Sequence, residues 1–245
     1  MLSLSVLICV LPHHQIIFFF AFAEGLAKGN YVVKVVGDLT EEEAREFFFG
    51  DGGKGTWKGI INYSSSPKPV PPGAEEYWPA IYERCGGNVG MLKRCVIEAR
   101  ATERWQSALN IVVANSLSTI RQGLDPEIIP KRDELPHWTE DQWETVLERI
   151  TTAPHHAVLR KELAKALGEG DGKKGNKIIL SMVKCNLLAL RPFSELARDL
   201  PKEVYGGGMN EVVTLPSPGD VWAAKQQLLE RKSDADTKTK TKKKK

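Results

Sequence analysis

Residues 31–36, Tyr-Val-Val-Lys-Val-Val, constrain this chain more than any other stretch. The run is rich in β-branched residues, is bounded by Asn30 and Gly37, and reads as a β-strand. A parallel strand is covered on both faces, and its two edges need hydrogen-bonding neighbours. Yet from Ala74 onward the pattern is helical, and the next strand-like run, Glu-Val-Val-Thr-Leu at 211–215, lies far downstream. The expected fold class is therefore mainly α with few strands. The strand at 31–36 then calls either for a partner or for sheet strands that this sequence does not carry.

The strand runs through Gly37-Asp38-Leu39 into a helix expected over 40–49. Thr40 can accept from a free N–H of the first turn while Glu43 reaches back, a capping box. Ala44, Phe47 and Phe48 take the buried side, and Asp38 reads as part of the strand-to-helix turn. Residues 50–73, rich in Gly, Ser and Pro, read as a surface loop. Helices are expected over 75–85, 88–102 and 103–122. The first stops at Gly86-Gly87 and the second restarts at Asn88. The third carries Trp105, Ala108, Leu109, Val112 and Val113 at helical spacing, with Gly123 ending it. A connector with three prolines, 125–136, leads to a second capping box at Thr139 and a helix over 139–150. Thr151-Thr152-Ala153-Pro154 turns the chain into helices over 155–167 and 177–188. After Arg191-Pro192 come a polar loop, the strand at 211–215 and a last helix over 220–231, started by Ser217 and Asp220. Three helices, a strand, a loop, a strand and a helix make a winged-helix pattern.

Two stretches in this order, Val35-Val36-Gly37-Asp38-Leu39-Thr40-Glu41-Glu42-Glu43-Ala44 and Tyr82-Glu83-Arg84-Cys85-Gly86-Gly87-Asn88-Val89, resemble the back end of a STAND-type, archaeal-ATPase-like (AAA-like) P-loop ATPase. The likeness is strongest over 38–225, where the chain is similar to an uncharacterised plant group. It implies that 31–73 is the remnant of an α/β P-loop sheet with its surface loop, 74–136 a helical lid and 137–232 a winged-helix domain. In that family Gly86, Gly87 and Asn88 would lie beside the nucleotide base, because glycine lets the backbone come close. Here Val89 follows Asn88, without the proline of the family's Gly-x-Pro form. A plain helix–helix turn explains Gly86 and Gly87 equally well.

The phosphate-binding loop, Gly-x-x-x-x-Gly-Lys-Ser/Thr, does not occur in the 245 residues. The closest imitation, Gly50-Asp51-Gly52-Gly53-Lys54-Gly55-Thr56, inserts Gly55 between Lys and Thr and follows a helix instead of a strand. No apolar run before Asp38 closes on paired carboxylates that could hold magnesium. Phosphoryl transfer then lacks both cradle and metal. No catalytic or metal-ligating residue is assigned, and ATP or ADP with Mg enters only with a missing front half. Arg191 can pair with a carboxylate or, in a complete ATPase, with a phosphate.

Composition is globular, 42% hydrophobic and 27% charged, and the formal charge is +3. Six lysines, Lys238, Lys240 and Lys242 to Lys245, account for that excess, so the body is slightly acidic. The tail 233–245 lacks apolar residues almost entirely and is expected to be disordered. In a DNA-reading winged helix the third helix enters the major groove. Here its polar positions are few, with Lys173, Lys174, Lys177 and Lys184 the possible nucleic-acid contacts, and the alternative is a helix packed inside a regulatory module. Cys9, Cys85, Cys95 and Cys185 show no metal-ligand spacing, and Cys85 and Cys95 read as buried free thiols of a reducing compartment. Neither His13-His14 nor His155-His156 makes a metal site unaided. Trp105, Trp138, Trp143 and Trp222 read as core.

Residues 1–30 form an apolar leader with three readings: a start foreign to the domain, a signal or anchor segment, or a buried helix. Ala21-Phe22-Ala23 resembles a signal-peptidase site, but no positive n-region precedes it and Pro12-His13-His14 interrupts the apolar run. An intracellular location is expected from the rest of the chain, with membrane contact only through this leader. The first functional expectation is a truncated STAND/AAA-like relative, a non-catalytic interaction or regulatory protein working with a full-length relative or another protein. The alternatives are nucleic-acid binding through the winged helix and lysine tail, and a fragment of an active ATP-binding ATPase.

Overall fold

The computed structural model describes residues 37–52, 57–62, 68–129, 138–207 and 210–242. The strand expected at 31–36, the leader and most of the glycine-rich imitation of a phosphate loop lie outside the described residues. Those described are mainly helical, with eight α-helices and one small antiparallel sheet of three strands. None of these helices is long and apolar enough to cross a membrane.

Helix α1 (Glu41–Phe49) begins as its sequence dictates. Glu43 N–H donates to Thr40 Oγ1 at 3.4 Å, and Thr40 N–H donates to the Glu43 carboxylate at 3.0 Å. Helices α2 (Ala74–Cys85), α3 (Val89–Thr102) and α4 (Trp105–Leu124) follow. They bury Phe48, Trp78, Ile81, Leu92, Val96, Trp105 and Leu109 in one core. Part of the loop after α1 is held, because the N–H groups of Ile60 and Ile61 donate to the Phe47 and Phe48 carbonyls and Ile60 is buried.

The second core belongs to α5 (Glu140–Thr152), α6 (Arg160–Leu167) and α7 (Gly172–Lys184), together with Ile120 of α4. The Thr139 capping box is present, with Gln142 at its third position. Strand β1 (Ala157–Leu159) precedes α6, and β2 (Ala189–Pro192) and β3 (Glu211–Thr214) follow α7. Strand β3 lies between the others, with Val158 and Leu190 both registered on Val213. Helix α8 (Pro218–Lys242) packs on α2, α4 and α5 and so touches both cores.

Several expectations from the sequence are corrected. The helix expected over 155–167 is instead a 3-10 turn (Pro154–His156), β1 and then α6, because His155 and His156 both adopt φ of +53° and break the helix. Helix α7 starts five residues earlier than expected, since Asp171 accepts from the N–H groups of Lys173 and Lys174, and it ends before Asn186 (φ +58°). Gly123 does not end α4. Its α-carbon lies against the Trp143 indole, and a β-carbon there would come within 2.3 Å of the ring. The tail expected to be disordered continues α8 to Lys242, a stretch without the glycine or proline that stops a helix.

Candidate functional site

The residues that the sequence singles out meet beside the turn between α2 and α3. The segment 37–40 lies across that turn as a strap. Leu39 N–H donates to the Gly87 carbonyl at 3.0 Å, and Gly37 N–H donates to the Leu196 carbonyl at 3.4 Å. Glycine is required at 87 because a β-carbon would fall 1.8 Å from the Leu39 carbonyl oxygen. At Gly86 (φ +53°) it would fall 2.5 Å from the Pro218 ring. The close approach that these glycines permit is therefore made to the protein's own strap and to the start of α8. Asn88 caps α3 by accepting from Met91 N–H at 3.0 Å, and its amide donates to the Asp38 carboxylate at 3.3 Å. Only 3% of Asn88 is exposed.

Arg191 on β2 reaches the same place and binds Asp199 in a two-pronged ion pair, with bonds of 2.6 and 2.8 Å. Both side chains are 18% exposed. Of the two partners open to Arg191, the structure supplies a carboxylate. Gly37 sits directly on this pair, since a β-carbon there would lie 1.8 Å from Asp199 Oδ1. Arg191 spends both terminal nitrogens on Asp199, which leaves Asp38 with the Asn88 amide. Burial, reinforced by the Asp199 charge and opposed by Arg191 and Asn88, raises the Asp38 carboxyl to about 6. Asp38 is thus more than a turn residue. Burial alone would lower the Arg191 pKa, but the hydrogen bonds and charge of Asp199 outweigh it and raise the pKa. The Tyr205 hydroxyl, in a fully buried residue, has no hydrogen-bond partner among the described residues. Its pKa is raised chiefly by burial, and the charges of Arg191 and Asp199 both reach it.

The four lysines expected at the third helix are apart from this cluster. Lys173, Lys174, Lys177 and Lys184 all lie on α7 and are exposed, and Lys174 pairs with Glu169 at 3.3 Å. Sequence reasoning missed Asp199 and Tyr205, which carry no local signal, and it missed the burial of Asp38. Cys85 and Cys95 are buried and free, and Cys85 lies close enough to Cys95 for a thiol–thiol hydrogen bond. Of the four tryptophans expected in the core, three are there: Trp105, Trp138 and Trp143 donate to the carbonyls of Pro71, Gly123 and Ile120. Trp222 is half-buried instead, and the Arg84 guanidinium lies 4.8 Å from its ring centre.

Among the described residues no group of three or more His, Cys, Asp or Glu side chains is placed to hold a metal ion. Chemically the cluster is a clasp. The strap is tied to the Gly-Gly-Asn turn by Leu39–Gly87 and Asp38–Asn88 and to the C-terminal unit by Gly37–Leu196, with the Arg191–Asp199 pair packed against Gly37. Comparison of the chain with protein-family models, with curated proteins and with solved structures gives no match in any of the three.

Proposed function

We propose that this chain is the lid and winged-helix part of a relative of the STAND-type P-loop ATPases, acting as a non-catalytic regulatory or interaction module. The observation that carries this reading is the direct contact between the two stretches that bear the resemblance, Leu39 to Gly87 and Asp38 to Asn88. The strap and α1 are joined in turn to the C-terminal unit by Gly37 N–H on the Leu196 carbonyl and by Glu43 with Arg198. Support for a winged helix comes from the order helix, strand, helix, helix, strand, strand, with the last strand between the other two. Support for a role without hydrolysis comes from the chemistry of the residues present. The sequence has no Gly-x-x-x-x-Gly-Lys-Ser/Thr motif, and Arg191 is occupied by Asp199.

Two measurements on the purified chain test this. Phosphate release from Mg-ATP should not exceed that of buffer, and magnesium-dependent turnover by the chain alone would overturn the non-catalytic reading. A P-loop-bearing relative with the same Gly-Asp-Leu and Gly-Gly-Asn stretches should co-elute with it in size-exclusion chromatography. Separate elution of the two at matched concentrations would end the interaction reading.

A further inference from the structure

Charge is segregated along this chain. Residues 160–184 carry seven Lys and Arg against three Asp and Glu. The remainder, with the tail 238–245 set aside, carries 21 basic against 28 acidic residues. Among the described residues α6 and α7 therefore build a basic face, while the rest of the sequence is acidic on balance. Lys161, Lys165, Lys173, Lys174, Lys177 and Lys184 are all exposed. Two of the three acidic residues are engaged: Asp171 caps α7, and Glu169 pairs with Lys174.

Helix α7 contains no carboxylate at all. Its apolar side, with Ile178, Ile179, Met182 and Val183, is buried in the second core, which fixes which side faces solvent. Lys173, Lys177 and Lys184 follow helical spacing and so form one stripe on the solvent side, about 16 Å long. At Gly170, in the turn that leads into α7, and at Gly172, its first residue, a β-carbon would meet nothing within 4 Å, so that end of the stripe is sterically open.

We propose that this α6–α7 face binds the phosphate backbone of double-stranded nucleic acid without reading its sequence. Lysines are point charges that neutralise phosphates and carry no base information. The amide on α7 that could read a base edge, Asn176, accepts from Arg160 Nε at 3.0 Å. Arg160 is itself tied to Glu211 of β3, so this pair braces the face instead of contacting a ligand. A membrane surface fits less well, because a helix lying in lipid needs exposed apolar residues beside its lysines. On α7 the large apolar side chains are buried or, at Leu180, half-buried.

The test is fluorescence anisotropy of a labelled mixed-sequence duplex with the full chain, at rising salt. The triple variant Lys173→Gln, Lys177→Gln, Lys184→Gln should lose about tenfold or more in affinity, and its salt slope should fall by about 3. Arginine at the same three positions should restore binding, which separates lost charge from lost fold. Glutamine at Lys238, Lys240 and Lys242 to Lys245 should leave most of the binding in place. The proposal is overturned by absence of duplex binding, by binding indifferent to the α7 substitutions, or by binding that disappears with the tail lysines alone. Tighter binding to phosphatidylserine vesicles than to the duplex would also overturn it.

Discussion

At the end of α4, Trp143 lies against Gly123 and gives its indole N–H to the Ile120 carbonyl at 3.0 Å, whereas beside the Gly-Gly-Asn turn Arg191, Asp199 and Asp38 meet as charges. Both junctions join the front helices to the C-terminal unit. The first is held by shape and by two neutral hydrogen bonds, from Trp143 to the Ile120 carbonyl and from Trp138 to that of Gly123, none of which depends on pH. The second holds two carboxylates and one guanidinium in a confined space, so one negative charge is left over whenever both acids are ionised. An apolar junction is as strong as its fit. A charged one is as strong as its balance, and this one is out of balance near neutrality.

Trp143→Ala should have the largest effect, a loss of about 3–5 kcal/mol by denaturant unfolding, because it removes a fully buried indole at the junction. A loss below about 1 kcal/mol would mean that α4 is not held there. Asp199→Ala comes next, at about 3 kcal/mol, since it strands the guanidinium of Arg191 without its partner. If unfolding shows this variant as stable as the parent, the clasp contributes nothing.

The smallest and most telling change is Asp38→Asn. A carboxyl raised to about 6 when folded, against 3.8 as its ordinary value, binds protons more tightly in the fold. Its stabilising effect is therefore complete below pH 4 and is lost as pH climbs through about 6. Above that pH the parent should be less stable than Asp38→Asn by on the order of 1–3 kcal/mol, and this gap should open between pH 4 and 7 over whatever dependence the two proteins share. Parallel pH profiles for the two proteins would show that Asp38 is not confined as described.

Helix starts were the most legible part of this sequence, because Thr40, Asn88 and Thr139 announce them by local chemistry that the structure reproduces. Strand β1 was not legible. Three residues, Ala-Val-Leu, look like any helical stretch, and the break before them is made by two histidines in a backbone region that their type does not announce. The clasp was half legible. Gly86, Gly87, Asn88 and Arg191 stood out by residue type and position, but Asp199 sits in a polar loop like many others. Only the fold brings it to Gly37, more than 150 positions away. Asp38 was visible as a turn, while its burial depends on that same distant loop.

Helix α8 starts with Pro218 lodged against Gly86 and continues without interruption for 25 residues. At 1.5 Å per residue it is a rod about 37 Å long that begins beside the turn holding the strap. Its Ala223 and Ala224 are buried in the second core, and its Arg231 pairs with Glu140 and Glu144 of α5. One continuous helix therefore braces the strap's turn and α5 together, as a shared spar.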